Sequence, residues 1–146
     1  MREILFRGKS ADNGEWVEGF YFCMTHPDNR HTHHFIIPLN VDISKGTQID
    51  KIQIEVIPET VGQYTGLTDK NGKKIFEGDI LRKAYYPEKD TVVEYFDGSY
   101  RFKYIRTFGR SIKGEYSYLC FIQSAVLELK VIGNIFDNPE LLEVQQ

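Results

Sequence analysis

Glu77 and Asp79 are the closest pair of carboxylates inside a patterned stretch of this chain, and paired carboxylates are the simplest apparatus for general acid–base chemistry. That chemistry also requires a cleft and tuned acidities, which a sequence does not display. A second cluster is histidine: His26, His31, His33 and His34. On a strand His31 and His33 would share a side, and imidazole suits zinc or nickel. Further ligands would have to come from Asp28 or Cys23, and no zinc-type Cys/His spacing is present. The expectation is a solvated polar loop with no metal and no cofactor.

The third candidate is Tyr100–Lys113, YRFKYIRTFGRSIK. It carries Arg101, Lys103, Arg106, Arg110 and Lys113 without an acid, interleaved with Tyr100, Phe102, Tyr104 and Phe108. Cations that track phosphates and aromatics that stack bases are the two components of single-strand binding. Alternation, however, sends the aromatics and cations of a strand to opposite faces. The reading preferred is an amphipathic hairpin with solvated cations, able to dock an acidic protein surface or a second copy of the chain. Nucleic acid is the alternative. No phosphate-binding glycine loop, GxSxG elbow or HExxH helix occurs, so the chain reads as a non-enzyme.

The elements that would position these groups are mainly β. A chain of 146 residues fits one domain, and 14% aromatic content favours strands. Trp16–Cys23 should return from a turn at Asp12-Asn13-Gly14 to pair with Glu3–Arg7. After a polar loop at 25–34, His34–Leu39 should be a strand that Pro38 confines to an edge or an end. Residues 51–56, 100–104 and 127–131 alternate apolar and polar, the period of half-buried strands. Asp97-Gly98, between Thr91–Phe96 and Ser99–Tyr104, is the strongest hairpin signal. Asn138-Pro139 should open a short C-terminal helix.

Net charge is only −3, so no global field draws nucleic acid or an acidic membrane. No apolar run approaches the ~20 residues that span a bilayer. Cys23 and Cys120 are the only cysteines, a usage that fits a cytoplasmic protein better than a secreted one.

Two stretches carry a family resemblance. Thr60-Val61-Gly62-Gln63-Tyr64-Thr65-Gly66-Leu67 leads to Asp69, Asn71-Gly72-Lys73 and Ile75-Phe76-Glu77-Gly78-Asp79-Ile80. Ile132-Gly133-Asn134-Ile135-Phe136 is followed by Asn138-Pro139-Glu140-Leu141-Leu142. Both resemble, in order and spacing, the YopX family of phage- and prophage-encoded proteins. Phe6-Arg7 and Trp16-Val17 fit its start loosely, so the resemblance spans nearly the whole chain. It implies a phage or prophage origin and assigns no activity.

Physically these motifs read as structural. Gly62, Gly66, Gly72 and Gly78 mark positive φ or close backbone approach. Gly78-Asp79 reads as the turn into a strand, with the Asp79 carboxylate accepting turn N–H groups. Gly133-Asn134 within an apolar run reads as a bulge or corner, and Tyr64 belongs to the same structural set. The architecture expected is a small SH3-like or related barrel over 60–136, with an N-terminal β subdomain and a short closing helix. The single YopX-like domain, 1–146, would subdivide into 1–57 and 58–146. The function expected is that of an accessory protein in the host cytoplasm, acting by protein binding or self-assembly.

Overall fold

The computed structural model describes residues 1–42, 44–83, 90–105 and 128–143. The chain divides into two compact units, Met1–Tyr64 and Thr65–Gln146.

The first unit is an antiparallel sheet built from local hairpins. Strand β1 (Phe6–Lys9) turns at Ser10–Glu15 into β2 (Trp16–Thr25), with Phe6 opposite Gly19 and Lys9 opposite Trp16. The turn closes through Ser10 N–H to Glu15 O at 2.8 Å, and Gly14 supplies a φ of +72°. Strand β2 runs on to pair along its length with β3 (Thr32–Pro38), from Gly19 opposite Pro38 to Thr25 opposite Thr32. Their connection is a tight turn, His26 N–H to His31 O at 2.8 Å, and Pro38 ends its strand as a residue without a ladder donor should.

Gly19 is required by close approach. A Cβ there would lie 1.9 Å from the Ile37 carbonyl oxygen, so any other residue pushes β2 off β3. The alternation expected over 51–56 is only half realised. Ile49–Ile52 forms a single helical turn, α1, and β4 is reduced to Ile54–Glu55, opposite Ile36 and Phe35. The Gln53 N–H is taken by Ile49 O inside that turn, which leaves Ile52 outside the ladder. A 3-10 turn at Pro58–Thr60 follows; Thr60 Oγ1 accepts Lys9 N–H at 2.8 Å and donates to Ile57 O at 2.7 Å. Leu5, Ile36 and Val56 are the fully buried apolar residues of this unit. Strand β5 (Gly62–Thr68) starts here, with Gly62 opposite Arg7 and Gln63 opposite Phe6.

In the second unit β5 continues to Thr68, turns through Asp69–Lys73, and is followed by β6 (Lys74–Phe76) and β7 (Asp79–Lys83). Strand β7 is central in a four-stranded antiparallel sheet with β8 (Thr91–Phe96), β9 (Ser99–Tyr104) and β10 (Leu129–Asn134), in the order β10-β7-β8-β9. The Asp97-Gly98 hairpin forms as the sequence predicts: both residues have positive φ, +50° and +80°, and Phe96 faces Ser99. The register of β10 on β7 shifts between Val131 and Gly133, so the anticipated bulge is real. Ile75, Leu81, Val93, Phe102, Leu129 and Val131 interdigitate as its core. Among the described residues the strands form open antiparallel sheets rather than a closed barrel. The closing helix is a 3-10 turn, Pro139–Leu142.

Candidate functional site

The motif residues turn out to build corners. The Asp69 carboxylate is buried and accepts three backbone N–H groups: Asn71 at 2.8 Å, Lys73 at 2.9 Å and Val131 at 3.0 Å. Burial pushes its pKa up, but the N–H bonds from Val131, Lys73 and Asn71, with the Lys73 charge, outweigh that and hold it below the ordinary value. Asp79 is 1% exposed and accepts Phe76 N–H at 2.8 Å across the turn that Gly78, at φ +83°, makes possible. Glu77 is half-buried on that turn. The predicted carboxylate pair is therefore one partly exposed group beside one sealed against backbone donors, which is turn architecture.

The C-terminal box docks on the first one. Ile135 N–H donates to Gly78 O at 2.9 Å, and Asn134 stands opposite Asp79 in the β10–β7 ladder. The Asn134 side-chain oxygen accepts N–H groups from Phe136 and Asp137 at 3.0 and 2.9 Å, folding the chain back after β10. Gly133 is fixed by its neighbour, since a Cβ would meet Asn138 Oδ1 at 2.3 Å. Gly66 and Gly72 have the expected positive φ, +88° and +80°. Gly62 is instead a buried strand residue, and Tyr64 is buried with its N–H on Leu5 O at 2.8 Å.

The basic strip separates into unlike parts. Arg101 is 5% exposed: its guanidinium lies 3.7 Å from the centre of the Phe96 ring and is ion-paired with Glu94 directly across the hairpin. It is a structural cation and not a solvated one, which corrects the sequence reading. The cause is local: Phe96 and Glu94 flank the same face of β8, and their stack and charge bury the guanidinium. Lys103 is exposed, as expected. Arg106, Arg110 and Lys113 lie outside the described residues. A pair that sequence reasoning missed is half-buried Arg82 with fully buried Asp90, joined by two bonds of 2.8 and 2.7 Å. That bonding to Asp90 holds the Arg82 guanidinium above its usual pKa.

The histidines disperse. His33 Nδ1 meets Glu55 Oε1 at 2.8 Å, His34 Nδ1 meets the Tyr21 hydroxyl at 2.7 Å, and His26 lies 3.2 Å from Asp28. Among the described residues no three His, Cys, Asp or Glu side chains stand together as a metal site would require.

What remains as a surface is the outer face of β2–β3. Phe20, Phe22 and Met24 alternate on β2 and oppose Ile37, Phe35 and His33 on β3, so all six share one face. Phe22 and Phe35 stack with ring centres 5.3 Å apart, and His33 stacks on Phe35 at 6.2 Å. Phe20 is 57% and Met24 56% exposed, and Leu39, one step past β3, is 43% exposed. Phe20 also lines a groove of about 450 Å³ with Ile4, Phe6 and Tyr21. The opposite face holds Gly19 and Ile36, both buried, and beyond them Tyr21 bonded to His34 and exposed Cys23, so the hairpin is apolar on both sides toward its Gly19–Pro38 end. The signal was in the sequence as WVEGFYFC, whose aromatics occupy alternate and adjacent positions alike.

No helix among the described residues is long and apolar enough to cross a membrane. No curated protein matches the chain. Among solved structures it is similar to the crystal structure of protein EF1440 from Enterococcus faecalis, at 28% identity, over 98% of this chain and 100% of that one, with a TM-score of 0.56. The family model for YopX protein matches residues 5–143. Motifs, turns and match agree, and the chain belongs to the YopX family.

Proposed function

We propose that this chain is a phage or prophage accessory protein that works in the host cytoplasm by binding protein, not by catalysis. The observation that carries the reading is the apolar face of β2–β3, on which Phe20 and Met24 are exposed and Phe22, Phe35 and Ile37 half-buried. Contiguous apolar surface beyond scattered single residues marks an interaction site, because keeping it in water costs free energy that a partner recovers. The motif carboxylates support the same reading, since Asp69 and Asp79 are occupied by backbone donors and are shut away from a substrate. Nucleic acid is the weaker candidate, because Arg101 is already engaged by Glu94 and Phe96.

The test is affinity capture from infected host cells with the native chain and with a Phe20→Glu, Met24→Glu variant. Both side chains are more than half exposed, so the variant should keep its fold. A specific protein retained by the native chain and lost with the variant is the expected result. Catalytic turnover that survives the variant, or nucleic acid as the retained species, would overturn the reading.

A further inference from the structure

Resting on that reading, we propose that the occupant of the β2–β3 face is a second copy of this chain, packed sheet against sheet with the two β2 strands antiparallel. Sheets that are apolar on both faces bury both, and facing sheets pack about 10 Å apart with interleaved side chains. Each copy offers the same face, so one interface serves both, as a two-fold dimer requires.

The area is adequate. Apolar side chains of this size present on the order of 150–250 Å² each, so the observed exposures leave roughly 400 Å² of apolar surface on the face. Interfaces are about 57% non-polar, so that patch fits a contact of roughly 700 Å² per copy. A standard stable interface uses about 800 Å² per partner.

Charge selects the orientation. Glu18 marks one end of the face on β2, and His33 marks the other, beside Met24. With the strands parallel, Glu18 would face Glu18 and the Arg7 opposite it on β1 would face Arg7, stacking like charges at that end. With the strands antiparallel, Glu18 of each copy comes over the His33 end of the other, and Phe20 meets Phe22. His33 Nδ1 lies 2.8 Å from Glu55 Oε1 at that end.

Sedimentation velocity on the native chain should show the 17.0 kDa species giving way to one of twice that mass as concentration rises through the micromolar range. The Phe20→Glu, Met24→Glu variant should stay at single-chain mass with an unchanged thermal melt. For orientation, both native cysteines are replaced by serine, and Glu18→Cys chains are mixed with Met24→Cys chains. Facing sheets about 10 Å apart hold such thiols too far apart for a direct disulfide, so a short bismaleimide is added, and antiparallel packing predicts a mixed cross-link between them and little self-linking of either. A native chain that stays monomeric while still losing a captured protein in the variant overturns self-association and leaves protein binding standing. A dimer that the variant does not disturb overturns the assignment of this face. Self-linked Glu18→Cys chains as the main product overturn the antiparallel arrangement.

Discussion

The Asp69 carboxylate accepts the backbone N–H of Val131 at 3.0 Å, a contact that crosses 62 residues of sequence. It joins the two motif-bearing stretches directly, and Lys70 N–H on Leu129 O at 3.0 Å runs beside it. A turn carboxylate that also caps a distant strand makes hairpin geometry and sheet assembly depend on one side chain.

Asp69→Asn should therefore destabilise the chain by about 1–3 kcal/mol, since one oxygen becomes an N–H₂ facing a buried donor. The pKa of this carboxyl is lower in the folded chain than its ordinary value of 3.8. Its contribution is thus present above that value and is lost as pH falls through the lower, folded one. Urea titrations from pH 7 down to pH 2 should show the native chain losing stability over that acid window. In the variant the decline should be shallower. Parallel acid profiles would remove Asp69 from the account.

Gly78 and Asp79 make a second, separable test. Gly78→Ala places a Cβ in ordinary contact, 3.4 Å from Phe136, so its cost is the φ of +83°, about 1–2 kcal/mol. Asp79→Ala leaves the Phe76 N–H buried without this acceptor and should cost about 1–3 kcal/mol. Thermal melts at neutral pH measure both, and unchanged midpoints would end the view that this box exists to shape the β6–β7 corner.

Gly19→Ala should be the most damaging single methyl in the first unit. Its Cβ would collide with backbone, at 1.9 Å from Ile37 O, and backbone cannot rotate away as a side chain can. Overpacking of this kind costs about 3 kcal/mol or more. Amide exchange should reveal loss of protection along Phe22–Phe35 pairing, and a chain exchanging like the native one would contradict the register.

Turns were the legible part of this sequence, because their chemistry is local. Asp97-Gly98, Gly78-Asp79 and Gly133-Asn134 each need a φ or a bulge that few residue types supply, so residue identity alone locates them. Residues 51–56 misled because alternation predicts a strand only where a neighbour offers an edge, and β3 pairs with just Ile54 and Glu55. The need for Gly19 was invisible for the same reason: it depends on the Ile37 carbonyl 18 residues on. Arg101 was misplaced because charge suggests solvent, whereas a partner carboxylate and an aromatic face can bury a guanidinium. The Phe20 face was hidden in plain view, since an aromatic on a strand is read as core until the opposite face is seen to be filled already.

Arg101 and Lys103 should separate cleanly under substitution. Arg101→Gln removes a buried cation that spans Glu94 and Phe96, leaving the Glu94 carboxylate without this partner, and should cost about 2–4 kcal/mol. Lys103→Gln touches an exposed side chain and should change stability by less than about 0.5 kcal/mol. Denaturant midpoints of the two variants measure that difference. The same pair tests nucleic acid: labelled single-stranded oligonucleotides should show no anisotropy change with the native chain at physiological salt. Were four phosphates neutralised by Lys103, Arg106, Arg110 and Lys113, the log–log salt slope would be about −2.8. Micromolar binding with that slope, weakened and made less salt-dependent by Lys103→Gln while the fold is intact, would place the strip's cations on phosphates and displace the protein-binding account.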